Sequence, residues 1–180
     1  MNGYQSTSRQ KWHDRIGGHE GAAFTAASLL LLQDAPIDMA KYFSAEPQGM
    51  GLFNNNGVPR KPFEAIKAFR KLTETPSRLS IQMKAPQVGI AVAAGIHPQT
   101  REINILISRY QGPACELQIR MSNLPGMNAM QTTLGIIDRE HAGDIIKTGG
   151  FLHGVMKVSV AAEPTVLHIN LRSANIKPAP

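Results

Sequence analysis

Residues 41–69 read KYFSAEPQGMGLFNNNGVPRKPFEAIKAF, and the order of aromatic pair, carboxylate, turn and helix in that run decides how the rest of the chain is read. Asn54, Asn55, Asn56 and Gly57 tolerate left-handed backbone and mark a turn. Pro59 and Pro62 extend the connection, and proline suits the first turn of a helix, so a helix is expected from near Pro62 or Phe63. Phe63, Ile66, Phe69 and Leu72 then recur at about one helical turn, with Glu64, Lys67, Arg70 and Lys71 on the other side. Such a helix lays one face on a core and closes over residues 73–76. On the N-terminal side, residues 37–43 read as a short strand that ends in Tyr42 and Phe43, with Glu46 just beyond it.

Two regions of different character lie outward from this run. Upstream, GAAFTAASLLLLQ (residues 21–33) favours helix by its Ala and Leu content and is apolar nearly all round, which implies burial on more than one side. Pro36 cannot continue a helix and biases Ala35 toward extended geometry, so this helix stops at residues 34–36. Downstream of Pro76 the period changes from 3.6 to 2. Leu79/Ile81/Met83, Val88/Ile90/Val92, Ile103/Ile105/Ile107 and Cys115/Leu117/Ile119/Met121 alternate with smaller or polar neighbours, and further strands are expected around residues 130–138, 155–160 and 166–172. Turn clusters such as Gln111-Gly112-Pro113 and Leu124-Pro125-Gly126 separate them. Seven or eight strands at this spacing point to an antiparallel β-sandwich. The predicted class is α+β: a helix-strand-helix segment over residues 1–75, a β-sandwich over residues 76–175, and a tail at 176–180.

Composition removes several functional classes. The longest strongly apolar run, residues 26–32, is far too short to cross a bilayer, so no membrane partner is expected. The net charge of +6 is spread thinly, with nine Lys/Arg against seven Asp/Glu in residues 1–76 and ten against six in residues 77–180. Without clustered cations interleaved with aromatics, nucleic acid is not an expected partner. The single Cys115 excludes an internal disulfide and sits in an alternating apolar pattern as a buried thiol. MNGYQSTSRQKWHDR has no apolar stretch of the secretory type, and the compartment stays open. His19-Glu20-Gly21-Ala22-Ala23 lacks the second histidine of a zinc-protease helix, and DREHAGD (residues 138–144) reads as a polar hairpin turn more readily than as a cation site. Ser28 and Ser44 lie in no Gly-x-Ser-x-Gly setting, and His153 and His168 fall in strand patterns as structural histidines. No metal or other cofactor is expected.

The stretch KYFSAEPQGMGLFNNNGVPRKPFEAIKAFRKL, preceded by GGHEGAAFTAASLLLLQDAPIDMA and followed by the strand-rich region, resembles the C-terminal end of retaining glycoside hydrolases of the family 39 (β-xylosidase) type. The resemblance covers residues 17–76 and the sandwich. It implies that the helix-strand-helix segment is the last part of a (β/α)₈ barrel and that the substrate class is a plant polysaccharide of the xylan type. Retention needs two carboxylates about 5 Å apart, one acid/base and one nucleophile. By resemblance the nucleophile would precede Asn2, in a Glu-Trp-Asn-like triplet, so neither inherited carboxylate is expected in these residues. Glu46, on what would be the catalytic face, and Glu20, at a helix start, are the remaining catalytic candidates, each with a plain alternative as a solvated loop residue and a partner of the helix dipole. Tyr42, Phe43, Glu46 and Trp12 are the expected carbohydrate contacts, and Tyr4 is a further aromatic of this kind; flat rings suit the C–H faces of pyranoses. A non-catalytic carbohydrate-binding or assembly module is the alternative. An all-round apolar helix and one isolated strand need covering, which points to a homo-oligomer.

Overall fold

The computed structural model describes residues 3–47, 49–84, 88–122, 130–151 and 154–173. Asn2, the side chain of Tyr4, the turn at residues 124–126, His153 and the tail at 176–180 lie outside the described residues.

Three helices come first: α1 (Gly3–Gly17), α2 (His19–Leu32) and α3 (Lys61–Thr73). Eight strands follow: β1 (Ser77–Arg78), β2 (Ile90–Ile96), β3 (Ile103–Arg109), β4 (Cys115–Arg120), β5 (Met130–Ile137), β6 (Ala142–Phe151), β7 (Val155–Val160) and β8 (Thr165–Ser173). Six of them form an antiparallel sheet in the order β1-β2-β3-β8-β5-β6, and β4 pairs with β7 in a second, two-stranded sheet. The expected mixed α+β architecture is the one observed.

The molecule is three layers deep, and β3 shows why. Every residue of INILISR is buried, because the strand is covered on both faces. Ile103, Ile105 and Ile107 pack with Leu167, Ile169 and Leu171 of β8 and with Val158 and Val160 of β7, filling the space between the two sheets. The alternate residue Leu106 joins Val166, Ala91 and Ala93 in a second core against Ala22, Ala23, Ala26, Ala27 and Leu30 of α2 and Ala65 of α3. A period-2 strand thus feeds two cores at once. The alanines of α2 let the helix lie close to the sheet, where the hydroxyl of Ser108 donates to the carbonyl of Ala23 at 2.6 Å. Full burial of a leucine such as Leu106 contributes about 1.5–3 kcal/mol.

Two local expectations fall differently, and two elements were not expected. Residues 37–43 form no strand; the segment is irregular and exposed. A strand is a property of a pair, and among the described residues no neighbour offers these amides a ladder. Residues 79–83 are likewise outside any strand, though the Leu79 amide donates to the carbonyl of Ala94 at 2.9 Å. Conversely, α1 and β6 are elements that the apolar periodicity does not announce. The sequence of α1 has no apolar stripe, and AGDIIKTGGF takes its strand geometry from β5, with irregular register on either side of Gly135 and Ile136.

Candidate functional site

A cleft of about 330 Å³ opens among Gln10 and His13 of α1, Gly49, the turn at Asn54, Asn55 and Asn56, and Arg60. The turn is built locally. The Oδ1 of Asn54 accepts from the amides of Asn56 and Val58 at 3.0 and 2.9 Å, and Gly57 takes φ +74, which an L side chain would resist. The Arg60 amide donates to the carbonyl of Leu52 at 2.8 Å, and the Leu52 amide to that of Ser44 at 3.0 Å, so three passes of the chain are tied side by side. Phe53 and Phe63 pack with their rings tilted by 49° and centroids 5.1 Å apart, and hold this loop on α3.

Arg60 is the N-cap residue of α3 and points back over the loop, where its Nη1 donates to the carbonyl of Gly49 at 2.5 Å. Its guanidinium lies flat on the break between α1 and α2: a Cβ placed on Gly17 would stand 2.8 Å from the Arg60 Cζ. The imidazole of His13 lies against Gly49 in the same close manner, and the Trp12 ring sits tilted 5.5 Å from it.

Of the residues expected to carry function, Trp12 borders this cleft through His13 and is 47% exposed. Tyr42 is 39% exposed; partial burial pushes its hydroxyl up in pKa, while a hydrogen bond with Thr25 and the positive field of Arg60 pull the other way. Phe43 is 72% exposed, and Glu46 is exposed with its amide donating to the Ser44 hydroxyl at 3.4 Å. Neither is among the lining residues. Glu20 forms an ion pair with Arg15 in the first turn of α2, the position that also favours a carboxylate by the helix dipole. Gln10, His13 and Arg60 are cleft residues that pattern reading did not single out. The signal open to it was the asparagine run ending four residues before an arginine at a helix start.

The polar hairpin at residues 138–141 folds around Asp138, whose Oδ1 accepts from the amides of Glu140 and His141 at 2.9 and 2.8 Å. The ammonium of Lys61 occupies the cationic position there, donating to the carbonyls of Asp138 and Arg139. Burial pushes the Lys61 pKa down against the pull of Asp138, Asp144 and Glu163. Among the described residues no three His, Cys, Asp or Glu side chains gather in a metal-holding group, and no helix is long and apolar enough to cross a membrane.

No family model matches this chain, and no curated protein matches it in sequence. Its structure is similar to that of a glucosidase from Croceicoccus marinus, with TM-score 0.72 and 20% identity over 87% of this chain and 42% of that one. It is similar to the glycoside hydrolase family 30 subfamily 8 xylanase Xyn30A of Clostridium acetobutylicum, with TM-score 0.69 and 12% identity over 87% of this chain and 40% of that one. A Paenibacillus polymyxa xyloglucanase of family 44 matches with TM-score 0.62 and 16% identity over 85% of this chain and 29% of that one. The chain therefore spans less than half the length of these structures. What it shares with each of them is the fold of a part.

Proposed function

We propose that this protein acts on or binds plant polysaccharide of the xylan type, as the C-terminal part of a retaining glycoside hydrolase related to the family 39 β-xylosidases. In this reading residues 1–75 are the end of a barrel and residues 76–175 its accessory sandwich. One observation carries it: 87% of the chain superposes, with TM-score 0.72, on part of a glucosidase. Trp12, Tyr42, Phe43 and Glu46 supply sugar contacts in this reading, and three of the four lie within or beside the loop that follows α2.

In this reading the catalytic pair lies outside the side chains described above. Glu20 is engaged by Arg15, and Glu46 lies outside the cleft, whose lining residues include no carboxylate. Double displacement needs a proton donor and a nucleophile together. Purified protein is expected to bind xylo-oligosaccharides in calorimetry while leaving aryl β-xylosides at the background rate, in the wild type as in Glu46→Gln and Glu20→Gln. Hydrolysis abolished by either substitution would instead make that residue catalytic, and absence of both binding and hydrolysis would sink the reading.

A second reading, a non-catalytic binding or assembly module, is favoured by one feature. Phe24 and Leu31 on the outer side of α2, together with Met39 and Phe43 after it, are 69%, 58%, 72% and 72% exposed. Exposed apolar surface on this scale marks a contact site. In that reading a second copy of the chain covers it.

A further inference from the structure

The cleft beside Arg60 is cationic, and no carboxylate lines it. Arg60 is half-buried, and among the described residues no ion pair joins it to an acid. A guanidinium presents five N–H donors in a planar fork, and the Gly49 carbonyl accepts from one nitrogen of it. Asp14, on the same helix as Gln10, accepts from the Gln10 side chain at 2.8 Å and is not part of the lining. His13 adds an imidazole ring with hydrogen-bonding nitrogens. The amides of Gln10, Asn55 and Asn56 offer both donors and acceptors, the complement of sugar hydroxyls.

We infer that this cleft binds a sugar acid, with the carboxylate of a uronate paired to the Arg60 fork, the ring hydroxyls on the side-chain amides, and one ring face toward Trp12. The inference rests on the glycan reading above and narrows it to acid-substituted chains. A cleft of about 330 Å³ suits one substituted pyranose. A neutral sugar of the same shape leaves the half-buried guanidinium without an anion, whereas a carboxylate makes two parallel charge-assisted bonds, each roughly twice as strong as a neutral one. Gly17 has a part in this: it is the flat floor that lets the guanidinium lie where it does, so Gly17→Ala moves the fork without removing its charge.

Calorimetry at pH 7 with D-glucuronate, D-glucose and acetate tests the inference, because glucuronate and glucose differ only at the oxidised carbon and acetate carries the carboxylate alone. Glucuronate is expected to bind at least about tenfold more tightly than either. Arg60→Gln should bring glucuronate down to the glucose level, Arg60→Lys should retain part of the preference, and Gly17→Ala should weaken glucuronate by a larger factor than glucose. Melting temperatures check that each variant folds, and Gly17→Ala with the ligand series carries the test should Arg60→Gln fail to fold. Equal binding of glucuronate and glucose, or an unchanged preference in folded Arg60→Gln, overturns it. Acetate binding as tightly as glucuronate overturns it too, leaving a bare anion site. Binding of neutral xylo-oligosaccharides without any preference for the acid defeats this inference alone, while failure of every carbohydrate defeats the glycan reading as well.

Discussion

Arg109 is 2% exposed and has no acidic partner among the described residues; its guanidinium is held by main-chain carbonyls. It donates to those of Gly112 and Pro113 in the β3–β4 connection, and to those of Ala161 and Glu163 in the β7–β8 connection, the last at 3.2 Å. One side chain thus pins the loops that link the two sheets. Arg109→Met fills similar space but strands those carbonyls, and a loss of about 3–5 kcal/mol is expected from urea unfolding. A loss below about 1 kcal/mol would show that water replaces the arginine without penalty. His168 presents the opposite case, a group kept neutral. Its Nε2 meets the Asn104 Oδ1 at 2.9 Å, and the Asn104 amide donates to the Lys71 carbonyl at the end of α3 at 3.0 Å. Burial, helped by Lys71 and opposed by Glu74 and Glu102, lowers its pKa from 6.5 to about 4. A folded pKa below the unfolded one means the neutral form is favoured on folding, so stability is fully present above pH 6.5 and is lost as pH falls toward 4. The loss amounts to up to about 3 kcal/mol. Unfolding of wild type and His168→Gln at pH 7, 5.5 and 4 should show a steep fall only in the wild type; parallel curves would refute the assignment.

At the level of elements, the parts that could be read from sequence are those whose burial is written as a period. The alternation of Ile103, Ile105 and Ile107 and the turn-spaced Phe63, Ile66, Phe69 and Leu72 announce β3 and α3 within a residue or two of their observed bounds. Residues 37–43 carry apolar side chains without a partner strand, so composition suggested a ladder that topology does not supply. For α1 and β6 the reverse holds, since their geometry comes from neighbours. The cleft was harder still to foresee, because Gln10, His13 and Arg60 converge only through the close approach of α1, the loop and α3. That approach depends on Gly21, where a Cβ would run into the main-chain carbonyl of Ile16 across the α1–α2 break. Gly21→Ala should therefore lift α1 away while the α2–α3–sheet core stays. Hydrogen exchange is expected to speed up over residues 8–16 alone, and uniform loss of protection through the sheet would show that α1 is part of the cooperative core.

On the scale of the whole molecule, one face remains out of proportion to the rest. The helix α2 buries Ala22, Ala23, Ala26, Ala27 and Leu30 against the sheet and α3, yet Phe24 and Leu31 point outward at 69% and 58% exposure. Met39 and Phe43 extend that apolar character along the following segment, each at 72%. A helix that is apolar on all sides belongs between two layers, and here the described residues supply one of them. Covering two phenylalanines, a leucine and a methionine stabilises by several kcal/mol at about 25 cal/mol per Å². Self-association at micromolar concentration is then the expected state of the chain by itself. Light scattering behind size exclusion should report a species larger than 19.6 kDa, and Phe24→Glu with Leu31→Glu should return it to that mass without lowering the unfolding midpoint, since neither side chain is part of the core. A wild type that runs as a compact monomer and binds no apolar dye would mean that this face is stable in water, and the assembly reading would fall while the glycan reading stood.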